Sequence, residues 1–139
     1  MLQMQMDMKI TTLEQLKIAT DLLQEHLNLL SVSKDQQMDL RLCLMEAVQN
    51  GLLYGEPTEG GNAEVHVSWQ CDEKGIAFSV EDNGPGVPME LRNRSWDVLD
   101  LEEHGRGILL MQTVLDELIF NEKGNWLTGR KIWQEGGGY

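Results

Sequence analysis

Residues 41–54, RLCLMEAVQNGLLY, carry the pattern that most constrains this chain. Met38, Leu42, Met45, Val48 and Leu52 recur at steps of three and four, the period of a helix with one apolar stripe. On that helix Glu46 and Asn50 stand one turn apart on the same face. A carboxylate and a carboxamide so aligned are either a solvated edge, with an Asn capping something nearby, or a pair facing a ligand. The helix itself must bury its apolar side against a second layer.

The surrounding pattern says what that layer is. Residues 2–10 alternate, with Leu2, Met4, Met6, Met8 and Ile10 against Gln3, Gln5, Asp7 and Lys9, the period of a half-buried strand. Packing of one strand face accounts for the methionines without copper. Thr11 and Thr12 cap a helix expected over 13–30, with Leu13, Leu16, Ala19, Leu23, Leu27 and Leu30 inward. His26 on it reads as a surface or packing residue. Ser33, with Gln36 three later, opens the helix that runs to Tyr54. After a loop at 55–62, the alternations 63–69 and 76–80 flank a turn at 72–75 and predict a hairpin, with His66 on its polar face.

Residues 89–104 are polar, with scattered Leu91, Trp96, Val98, Leu99 and Leu101 and no sustained period, as a functional lid would be. A helix is expected over 107–119, then strands near 118–121 and 126–133 about a turn at 122–125, and a frayed tail at 136–139. This order predicts an α+β two-layer sandwich, with about three helices on one face of a mixed, mostly antiparallel sheet. Its 139 residues suit one domain spanning 1–139.

Composition narrows the function. The net charge is -12, from 23 acidic and 11 basic residues, and such a surface repels a phosphate backbone, so direct nucleic-acid binding is not expected. No apolar run reaches the ~18 residues of a membrane span, and no signal peptide is visible. A cytoplasmic protein is expected, with Cys43 and Cys71 as buried thiols rather than a disulfide or zinc pair.

Two further motifs join Glu46 and Asn50. Asp82 ends a strand and is followed by Gly84 and Gly86, which make a turn or let a flat ring approach the backbone while the carboxylate accepts from a ligand amine. Gly105 and Gly107 open a helix, where backbone N–H groups can converge on phosphate oxygens.

The order of these motifs resembles the N, G1 and G2 boxes of the GHKL nucleotide-binding superfamily. Glu46-Ala47-Val48-x-Asn50, Asp82-Asn83-Gly84-Pro85-Gly86 and Glu103-His104-Gly105-Arg106-Gly107-Ile108-Leu109-Leu110-Met111 are most similar to the anti-sigma-factor serine/threonine protein kinases. The downstream Leu115-Asp116-Glu117 fits that group too, so the resemblance covers nearly the whole chain.

It implies a Bergerat-type ATP-binding fold with an ATP lid at about 87–104. It implies that Asn50 ligates Mg2+, that Asp82 accepts from the adenine amino group, and that Gly84 and Gly86 shape the adenine pocket. Gly105 and Gly107 would form the phosphate loop and Glu46 would be the general base. Arg106 either reaches the terminal phosphate or stands as a solvated lid arginine. The partners implied are a sigma factor and a STAS-domain antagonist phosphorylated on serine, with the kinase a homodimer. The alternative is an ATP- or ADP-sensing binding module without kinase activity. The chain departs from the group at Tyr54, four residues after Asn50, where histidine is frequent, and in a lid poor in glycine that contains Trp96.

Overall fold

The computed structural model describes residues 2–58, 61–89 and 106–133. Its elements are β1 (Gln3–Ile10), α1 (Leu13–Leu29), α2 (Lys34–Tyr54), β2 (Val65–Asp72), β3 (Gly75–Asp82), α3 (Arg106–Val114), β4 (Glu117–Phe120) and β5 (Trp126–Ile132). The expected lid core at 90–104 and the tail at 136–139 lie outside the described residues.

Five strands form one sheet in the order β1-β2-β3-β5-β4. The expected sheet was mixed; among the described residues every pairing is antiparallel. For β2–β3 and β4–β5 the reason is local. β2 and β3 turn back directly through Asp72, whose Oδ1 accepts from the N–H groups of Lys74 (2.8 Å) and Gly75 (3.2 Å). β4 and β5 do the same at residues 121–125, and antiparallel neighbours need no crossover. The α+β two-layer arrangement follows as expected, with α1, α2 and α3 packed on the sheet and on each other.

Strand alternation sorts the layers. Val65, Val67, Trp69 and Cys71 on β2 and Ile76, Phe78 and Val80 on β3 are buried toward the helices. Gln5, Asp7, Ser68, Gln70, Ser79 and Thr128 line a groove of about 580 Å³ on the open face. Trp69, only 2% exposed, donates its indole N–H to Nδ1 of His26 at 3.0 Å, so His26 is a packing residue that gives a buried donor its acceptor.

Both helix starts were legible. Thr12 Oγ1 accepts from Gln15 N–H at 3.1 Å while Gln15 Oε1 accepts from Thr12 N–H at 3.3 Å, a reciprocal capping box. Ser33 Oγ accepts from Gln36 N–H at 3.3 Å.

The inward face of α2 is not the one its large side chains suggest. Met38 is 59% and Leu42 38% exposed, whereas Leu40, Cys43, Leu44, Ala47, Val48 and Gly51 are buried. The small residues Ala47 and Gly51 decide it, because they let the helix axis approach the strands. α3 is also shorter than expected and ends at Val114, leaving Leu118 and Ile119 to β4. Asp116 draws the chain into the sheet: its N–H donates to the Arg130 carbonyl at 2.9 Å and its Oδ2 accepts from Ile132 N–H at 2.6 Å. No described helix is long and apolar enough to cross a membrane.

Candidate functional site

α2 is the element on which the site residues meet. Glu46 is half-buried on it, and Asn50, one turn later, is buried. Asn50 Nδ2 is a buried donor without a hydrogen-bond partner among the described residues. Leaving such a group unsatisfied costs about 1–3 kcal/mol.

The next residue brings in the second motif. A Cβ at Gly51 would stand 2.9 Å from Val65 Cγ2 and 3.6 Å from Asp82 Cβ, so this turn of α2 lies directly against the start of β2 and the end of β3. Asp82 is 8% exposed and its Oδ1 accepts from the Gly84 N–H at 2.7 Å. Burial pushes the Asp82 carboxyl above its ordinary range, and the Gly84 N–H and the Lys123 ammonium only partly offset this.

Gly84 and Gly86 have their Cβ sides filled by protein main chain, at Tyr54 and Gly55 for Gly84 and at Lys123 and Gly124 for Gly86. Gly86 also has φ +92°, the left-handed region. Both glycines therefore let the loop after Asp82 seat between the end of α2 and the β4–β5 turn.

The third motif arrives through α3. A Cβ at Gly107 would collide with Oε2 of Glu46 and stand 3.0 Å from both Cβ and Cδ of that residue. Gly107 thus sits on the Glu46 side chain in the first turn of α3, where N–H groups lack helical partners. Gly105 lies outside the described residues. Arg106 begins α3, and its side chain also lies outside them. Among the described residues no cluster of three or more His, Cys, Asp or Glu could hold a metal by itself.

A family model described as "Histidine kinase-like ATPase domain" matches residues 11–131. The chain belongs to that family. The match runs from α1 into β5 and covers all three motifs, in agreement with the GHKL resemblance. ATP is therefore the ligand class of this ATPase domain.

Curated relatives point to one branch. The ATPase domain is 30% identical over 104 residues to an "Anti-sigma F factor" of Clostridium botulinum (strain Eklund 17B / Type B), covering 70% of this chain and 71% of that protein. It is 28% identical over 105 residues to the protein of that name in Clostridium kluyveri (strain NBRC 12016), covering 71% and 72%. A third, in Clostridium novyi (strain NT), is 30% identical over 95 residues, 64% of each chain.

Two contributors to this ATPase domain's site were missed from the sequence. Gly51 drew no reading from the sequence, and its closeness to Val65 and Asp82 shows what a side chain there would disturb. Asn125 reads as a turn residue, yet its Nδ2 donates to the Asp82 carbonyl at 2.8 Å. Tyr54 is half-buried, and burial pushes its hydroxyl above the ordinary range. Its carbonyl, rather than its ring, is what Gly84 meets.

Proposed function

We propose that this chain is an ATP-dependent serine protein kinase that doubles as an anti-sigma factor, phosphorylating a STAS-domain antagonist in a partner-switching cycle. The observation that carries this reading is the convergence on α2. Glu46 lies against Gly107, Asn50 one turn on has a buried amide without a partner among the described residues, and Gly51 abuts Asp82. The names of the clostridial relatives support a sigma factor as the bound partner.

In this reading Asp82 accepts from the adenine amino group, Gly84 and Gly86 shape the adenine pocket, and Gly105 and Gly107 form the phosphate loop with Arg106 reaching the terminal phosphate. The donor chemistry fits Mg2+. The Asn50 carboxamide is buried and, among the described residues, unsatisfied at its nitrogen, and a half-turn of the group offers its oxygen instead, the ligand type that Mg2+ prefers. Asn50 would hold the ion, which when bound neutralises charge on the phosphate oxygens.

Glu46 then takes the proton of the attacking serine hydroxyl. A bond forms from the serine oxygen to the γ-phosphorus, and the bond from that phosphorus to the bridging oxygen breaks and leaves ADP. A carboxylate beside the phosphate-loop glycine favours this reading over a nucleotide sensor, because binding alone needs no base. The kinase works as a cytoplasmic homodimer.

Incubation with γ-labelled ATP and a purified STAS protein tests the proposal, with label expected on a serine of the STAS protein. ATP binding without transfer would leave the sensor, and absence of ATP binding would sink both.

A further inference from the structure

The turn between β4 and β5 carries more hydrogen bonds than a hairpin reversal requires. Asn121 Oδ1 accepts from the N–H groups of Gly124 (2.8 Å), Asn125 (3.0 Å) and Trp126 (3.1 Å). Its Nδ2 donates to Asn125 Oδ1 at 2.8 Å. The Asn125 carboxamide is thus held at its oxygen, and its Nδ2 donates to the main-chain carbonyl of Asp82 at 2.8 Å. The Asp82 N–H returns the contact, donating to the Asn125 carbonyl at 2.8 Å.

The same turn grips the far end of the Asp82 loop. Val87 N–H donates to the Gly124 carbonyl at 3.0 Å, and Gly86 sits against the main chain of Lys123 and Gly124. Asp82 and Val87 are therefore both pinned to residues 121–125. The bond from Asn125 Nδ2 is a side-chain contribution made at the residue read as the acceptor for adenine.

We propose that Asn125 is a positioning residue for adenine recognition. Aimed by Asn121, its carboxamide fixes the main chain at Asp82 so that the carboxylate stands in one place before the nucleotide arrives. Fixing a recognition group in advance strengthens binding by removing an ordering cost, and it sharpens rejection of a ligand that lacks the matching donor. The inference rests on the reading of Asp82 as the acceptor for the adenine amino group. Asn125 acts through Asp82 and does not itself touch the ligand.

The test compares ATP with inosine triphosphate, which lacks that amino group, by calorimetry on the full chain. Asn125→Asp keeps the acceptor toward Asn121 but replaces the donor toward the Asp82 carbonyl. Asn125→Ala removes both without adding charge, and either variant that folds carries the test. The ATP Kd is expected to rise roughly three- to tenfold, the range of one hydrogen bond, while the inosine triphosphate Kd changes less. The preference for ATP therefore shrinks. Lower thermal stability with both Kd values unchanged would make Asn125 merely structural and overturn the proposal, as would equal weakening of both nucleotides. If the unmutated chain does not bind ATP, the adenine reading fails and this inference with it. If it binds ATP with the same preference as the variants, this inference alone fails.

Discussion

Gly107 is pressed onto Glu46 so closely that a methyl group at Gly107 would stand 3.0 Å from both Cβ and Cδ of the glutamate. The two residues are far apart in sequence and belong to different helices, so their contact registers α3 against α2. Gly107→Ala should push the Glu46 carboxylate aside or tilt α3, at a cost of about 1–3 kcal/mol for overpacking. Phosphate transfer should fall further than the unfolding midpoint implies. A variant with reduced stability and full transfer would contradict this.

Glu46→Gln replaces the carboxylate by an isosteric amide. ATP affinity should be retained while serine phosphorylation drops by about 10²- to 10⁴-fold, the usual contribution of a general base. Equal turnover in the two proteins would remove Glu46 from that role.

Asn50→Ala deletes the carboxamide proposed to hold the metal. Affinity for ATP should fall most when Mg2+ is present, and the difference should narrow in EDTA. A loss of the same size under both conditions would argue against metal ligation.

Asp82 yields a pH prediction. Burial raises its folded-state pKa above the ordinary 3.8, so the folded chain holds this proton more tightly than the unfolded chain. That contribution is present in full below 3.8 and is lost as pH rises through the folded value. Near neutrality the folded state therefore carries a buried charge. Asp82→Asn keeps an acceptor for the Gly84 N–H and removes the charge. Without nucleotide the variant should melt higher than the parent at pH 7, with the gap closing as the pH approaches 4. ATP binding should weaken. A gap that widens on acidification would reverse the sign and refute the assignment.

Burial pushes the Cys43 thiol up to about 12 and the Cys71 thiol up to about 11. Thiolate is the reactive form, so neither should react with a disulfide reagent at pH 8 in the folded chain. Both should react in denaturant, and rapid labelling of the native protein would show that the sheet–helix interface opens.

Most of the fold was legible because it is built from local signals. The Thr12 and Ser33 caps, the alternations in β1 to β3 and the end of α2 at Tyr54 need only neighbours in sequence. What was missed needed the third dimension. Met38 and Leu42 look like core residues, but the helix turns Ala47 and Gly51 inward because close approach outweighs side-chain bulk. The helix expected to 119 overlapped the strand expected near 118–121, and the Asp116 contacts with Arg130 and Ile132 decide for the strand. In the site, Glu46, Asn50, Asp82 and Gly107 stood out as motif residues, whereas Asn125 did not, because a turn asparagine shows nothing of the carbonyl it will meet.

Glu46 and Asn50 share one helix, so about 6 Å along its axis separates them, set by helical rise alone. Gly107 reaches Glu46 from a different element. The two contacts differ in kind, since one is set within a single helix and the other by how α3 packs on α2. A change in how α3 packs would alter the glycine contact while leaving the spacing between Glu46 and Asn50 untouched.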